Sequence, residues 1–189
     1  MPGRCAVLLL AAPLARGSTL RDAVDANDPA AVSAALTAGA DMNEIGADGQ
    51  TAFTYSTMTR KFKAVKTLLL AGADANIGNR DTGMTAMHLA AVAGDASLVK
   101  WLIKKGVDKS PVDTHGLTPL HRACQGGEPK HTDSVWAFLD AGVVPDETSA
   151  DGMTPIDIAK TNDNTRKLLQ EAVAEKERNQ RKARQSMYY

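Results

Sequence analysis

This chain has little cysteine, few aromatics and no long apolar run, and each shortage removes a class of protein. Cys5 and Cys124 are too few for a disulfide framework, and no metal-ligand spacing surrounds them. Cys124, in L-H-R-A-C, reads as a small buried thiol. Aromatics make up 4% of the 189 residues while alanine is abundant, which suits closely stacked short helices better than one bulky core. The apolar run Cys5–Leu14 is too short to span a bilayer. No G-x-S-x-G, no phosphate-cradling glycine loop and no Cys-x-x-Cys is present. Net charge is also missing, since 22 bases balance 22 acids. Their distribution is uneven: Arg4, Arg16 and Arg21 stand without an acid in residues 1–21, and residues 176–189 hold five bases against Glu177. The body between is acidic, which argues against a domain that coats nucleic acid.

What is present is a repeat. D-G-Q-T-A-F at Asp48–Phe53 returns as T-G-M-T-A-M at Thr82–Met87, H-G-L-T-P-L at His115–Leu120 and D-G-M-T-P-I at Asp151–Ile156. The glycines at 49, 83, 116 and 152 are 34, 33 and 36 residues apart. The far end of each unit also recurs, as A-G-A-D at Ala38–Asp41 and Ala71–Asp74, K-G-V-D at Lys105–Asp108 and A-G-V-V at Ala141–Val144. Within the clearest unit, Gly83–Gly106, apolar residues at spacings of three and four predict two short helices parted at Gly94 and closed by Gly106. Helices of about ten residues cannot bury their faces on each other alone and need neighbours. A period near 33 built from a turn and two helices resembles the ankyrin-repeat family, with T-P-L-H at Thr118–His121 as its most specific piece. The resemblance covers residues 18–170. It implies an all-α solenoid of about five helix-turn-helix units with short β-hairpin loops, followed by a charged C-terminal helical tail at 171–189.

Residues 1–17 form an apolar, arginine-bearing segment open to two readings, a targeting peptide or a retained packing segment. The expected compartment is intracellular: cytoplasmic, or a mitochondrion or plastid if that segment is a signal. From Ser18 the first unit reads as a terminal cap, with Thr19 and Asp22 as a capping box and Pro29 opening its second helix. The second unit departs most from the pattern. T-P-L-H becomes T-A-F-T at Thr51–Thr54, and Arg60 replaces the breaking glycine. Its basic group Arg60, Lys61, Lys63 and Lys66 reads first as solvated charge, with Phe53 and Tyr55 as drift within a tolerant repeat. The fourth unit holds three extra residues, expected as a loop over Glu128–Ser134. The fifth has Asp157 in place of the histidine, and its second helix runs on into a polar stretch ending in Met187-Tyr188-Tyr189.

His88 and His121 hold the last position of T-x-x-H. The resemblance implies that they are buried beside the hairpin and tie turn to turn, and no further ligands recur to make a metal or catalytic site. Catalytic, metal and cofactor residues are therefore expected to be none, and no small-molecule substrate is expected. What the resemblance implies instead is a surface. The residue after each turn glycine points to partners from a hairpin tip: Gln50, Met84, Leu117 and Met153. Behind them the first helices supply Met58, Val92, Gln125 and Thr161, giving a methionine-rich, apolar concave groove. Trp101 is expected half-buried, and Trp136, one position earlier in its helix, is expected to be exposed and able to anchor a partner. The expected function is non-enzymatic protein–protein interaction, as an adaptor or accessory subunit. The alternatives are a regulatory inhibitor of a partner enzyme, or a module whose Lys176–Arg184 tail docks on RNA or an anionic membrane surface.

Overall fold

The structure, a computed structural model, describes residues 19–160 and 162–186. Among the described residues are ten α-helices and no strand. They come in five consecutive pairs: α1 (Leu20–Asp25) with α2 (Pro29–Thr37), α3 (Ala52–Met58) with α4 (Phe62–Leu70), and α5 (Ala86–Val92) with α6 (Ala96–Lys104). Then come α7 (Pro119–Cys124) with α8 (Pro129–Asp140), and α9 (Pro155–Ile158) with α10 (Asp163–Ser186). The first helices stack in order, α1 on α3, α3 on α5, α5 on α7 and α7 on α9, with the second helices forming a layer behind them. Between the layers one continuous core buries Val24, Val65, Phe53, Met87, Leu102, Phe138 and Leu169. A nine-residue helix is marginal by itself, so each pair depends on the units beside it.

Every first helix starts the same way. Thr19, Thr51, Thr85, Thr118 and Thr154 are its N-caps, and the residue three positions on reaches back to the cap's own backbone N–H. That residue is Asp22, Thr54, His88, His121 or Asp157, so chemically different side chains perform one reciprocal capping task. Drift from histidine to threonine or aspartate therefore leaves the helix start intact.

The connecting fingers are turns and not strand ladders. Each is closed by one bond across its base: Gly46 N–H to Gln50 O (2.9 Å), Asn79 to Met84 (3.0 Å), Asp113 to Leu117 (3.1 Å) and Ser149 to Met153 (2.9 Å). Successive fingers are then joined edge to edge by Arg80 N–H to Gly49 O, Thr114 to Thr82 and Ala150 to His115. The expected β-hairpins are thus present as tight, mutually bonded turns, too short to form a ladder.

The insertion in the fourth unit is also not a loop. Pro129 occupies the first turn of α8, where its fixed φ suits a helix and its missing N–H costs nothing, so the extra residues lengthen the helix to 12 against 9 in α4 and α6. His131 turns inward and donates from Nε2 to Val92 O at 3.1 Å. Gly126 makes the room: a Cβ there would stand 2.1 Å from the imidazole carbons. Residues 1–17, Thr161 and the Met187–Tyr189 end lie outside the described residues.

Candidate functional site

The finger tips and the ends of the first helices meet along one edge. Met58, Val92 and Gln125 occupy equivalent positions, seven residues beyond their N-cap threonines, and all three are exposed, Met58 at 48% and Val92 at 45%. Gln50 reaches from its finger to this row, its Nε2–H lying 3.5 Å from Met58 Sδ. Met84 and Met153 are half-buried at their finger tips. Leu117 differs. At 9% exposure it is packed into the stack, so it offers a partner little side-chain surface. The expectation that all four tips project outward is corrected at that position: the Leu117 side chain is buried against the stack, while its carbonyl accepts from His88 of the preceding unit.

Two histidines hold the fingers in line. His88 Nδ1 accepts from the Thr85 N–H at 3.2 Å, which leaves Nε2 to carry the proton and donate to Leu117 O at 2.9 Å. His121 repeats this with Thr118 (3.2 Å) and with Met153 O (3.2 Å). Burial lowers the pKa of both imidazoles below the ordinary histidine value, more strongly than their carbonyl partners raise it. They are structural ties held neutral. Thr54 makes its bonds within its own unit and crosses to no finger.

A buried ion pair stiffens the base of the Asp113–Leu117 finger. Arg122 Nε and Nη2 donate to Asp113 Oδ2 at 2.8 and 2.5 Å, while Asp113 Oδ1 accepts from His115 and Leu117 N–H at 2.8 and 3.0 Å. Burial pushes this carboxyl up, but Arg122 and the two backbone donors outweigh it and the net direction is down. Asn79 Oδ1 and Ser149 Oγ serve the equivalent finger bases, accepting from the Met84 and Met153 N–H groups. A short polar residue three or four positions before the turn glycine was the sequence signal for them.

Among the second helices, Trp101 is half-buried and Trp136 is 46% exposed, with the Lys100 ammonium 4.4 Å from the Trp136 ring centroid. In the second unit, Phe53 is buried in the core. Tyr55 donates to Asp25 at 2.7 Å beneath the Arg21 guanidinium, so it ties the second unit to the first. The Cys124 thiol is buried and its pKa is pushed up to about 12 by desolvation, which leaves it a packing group. On the C-terminal helix, Lys176 pairs with Asp146, and Arg181 lies 3.9 Å from Glu177.

The family model for ankyrin repeats in three copies matches residues 20–113 and again 92–181, together most of the chain. The chain belongs to the ankyrin-repeat family. Ankyrin repeats are protein-interaction modules. Similar ankyrin-type stretches occur in human protein phosphatase 1 regulatory subunit 27, 38% identical over 77 residues that make up 41% of this chain and 48% of that protein. Mouse inhibitor of Bruton tyrosine kinase is 39% identical over 77 residues, 40% of this chain and 6% of its own length. Bovine mitochondrial disaggregase is 29% identical over 174 residues, 90% of this chain and 25% of that protein. The ankyrin chain here spans less than half the length of each of these relatives. No helix among its described residues is long and apolar enough to cross a membrane.

Proposed function

We propose that this chain is a non-enzymatic interaction module, an adaptor or accessory subunit that receives another protein along the ledge formed by the finger tips and first-helix ends. The observation that carries the reading is the row of equivalent exposed positions, Met58, Val92 and Gln125, flanked by Met84 and Met153. A single exposed apolar residue needs no explanation, but a row repeated at the period of the fold does. Methionine suits such a ledge because its flexible thioether adapts to an irregular apolar partner. A regulatory role toward an enzyme is the second reading, favoured because one similar protein is named a regulatory subunit of a phosphatase and another an inhibitor of a kinase.

The test is capture from native extract with the full chain and with Met84→Glu combined with Val92→Glu. Both sites are at least partly solvent-facing, so helical content and melting should persist while the main partner is lost from the captured set. Capture of the same partner by the variant would refute the ledge. Loss of a captured enzyme's turnover on adding the purified chain would favour the regulatory reading over the adaptor.

A further inference from the structure

The layer of second helices is open at one seam. Helices α2 and α4 pack closely, as do α6 and α8, and α8 and α10, but α4 and α6 are not among the closely packed pairs. Between them lies a groove of about 410 Å³ with Phe62, Val65, Leu98 and Trp101 on its floor and Arg60 and Lys66 on its rim. Phe62 is 38% exposed and Trp101 half-buried, so two aromatic side chains are available to a visitor.

The charges lining this groove are Arg60 and Lys66 and one acid, Asp95. Helices α4 and α6 carry no aspartate or glutamate, although the body of the chain is acidic overall; of their lysines, Lys66 lines the groove, while Lys100 lies over Trp136 of α8. Asp95, the acid at the groove's end, is already engaged: Oδ1 accepts from the Leu98 N–H at 3.0 Å and Oδ2 lies 3.8 Å from Arg60. Arg60 itself holds a left-handed backbone, φ 60°, at the position where Gly94 stands at 66° in the next unit. An L-residue there costs about 1 kcal/mol that glycine would not. Its side chain remains 61% exposed, with the guanidinium 5.9 Å from the Phe62 centroid, so local packing gives little reason for an arginine.

We propose that the α4–α6 groove binds an acidic segment of a partner protein, seating an aromatic or leucine side chain between Phe62 and Trp101 with carboxylates at Arg60 and Lys66. Apolar anchors surrounded by complementary charge are the arrangement of a binding hot spot. The inference shares with the ledge only the premise of an interaction module and uses other residues.

The experiment is fluorescence anisotropy with the full chain and a synthetic labelled peptide bearing leucine and phenylalanine on one helical face and glutamate on the other. Arg60→Gly with Lys66→Glu should weaken binding at least about tenfold, and Ser97→Glu, an exposed change in the first turn of α6, should do the same by bringing an acid to the rim. Replacing the peptide's glutamates by glutamine, or its apolar residues by serine, should each weaken it comparably. In a Trp136→Phe background the peptide should shift Trp101 emission. Met84→Glu should leave peptide affinity unchanged, so failure of the ledge and failure of the groove are told apart. Equal affinity for both charge variants, or for the glutamine peptide, would overturn the proposal. So would tighter binding of a single-stranded RNA oligomer or of phosphatidylserine vesicles, lost in the same variants.

Discussion

Asn27, Arg60 and Gly94 occupy one backbone position in three successive units, all left-handed, with φ of 50°, 60° and 66°. Asparagine earns the position twice, since its Oδ1 also accepts from the Lys63 and Ala64 N–H groups, both at 3.1 Å, and caps a helix that has no side-chain cap of its own. The two substitutions Asn27→Gly and Arg60→Gly therefore diverge although both relieve the same strain. Asn27→Gly should lower stability by about 1 kcal/mol through the lost cap, whereas Arg60→Gly should raise it by up to about 1 kcal/mol, the exposed ion pair to Asp95 being worth little. Urea midpoints of the two variants, read against the parent, check the opposite signs. The Asn27 cap was not legible in the sequence, where Asn-Asp-Pro reads only as a helix breaker. Its acceptors lie 36 and 37 residues on, and only the stacking of units brings them near.

At the scale of elements, the fingers depend on His88 and His121 staying neutral. Both have folded pKa values lowered by burial, so above about pH 6.5 the two states bind protons alike at these sites. Below it the unfolded chain takes up protons that the folded chain resists, and stability falls with falling pH. The Asp113 carboxyl, shifted downward, adds its own loss only at lower pH, as it nears the ordinary aspartate range. Unfolding free energy measured from pH 7.5 to 5 should therefore decline in the parent, while His88→Gln with His121→Gln, though less stable at pH 7.5, should give a flatter profile. A parent profile already flat over that range would mean the imidazoles titrate normally. The histidine positions and their tying role were legible from T-x-x-H. The fate of the insertion was not, because proline reads equally as the end of one helix or the start of another. Only the pocket that Gly126 leaves for His131 decides for the second.

For the whole molecule, five units were legible because a period of 33 to 36 residues survives local drift in every copy. The exposure of Met58 and Val92 was legible, whereas the burial of Leu117 was not, since it depends on how the units stack. The end of α10 is different in kind. Leu168 and Leu169 pack against the core, but most described residues beyond Val173 are exposed. Ending the chain after Val173 should leave the melting temperature within a few degrees of the parent, whereas ending it before Leu168 should abolish cooperative melting of the last units. Calorimetry of the two truncations distinguishes them.

The seam between α4 and α6 has a mechanical side. Thr54 sends no bond to the next finger, so units two and three lack the histidine tie and their rear helices are not closely packed; besides the stacked first helices they share the edge bond from Arg80, the Asp108 N–H to Asn76 Oδ1 bond and the Arg60–Asp95 pair. The joint is thus held chiefly along its front. A segment seated in the rear groove would supply contacts that α4 and α6 do not make with each other, and so stiffen the joint behind the ledge.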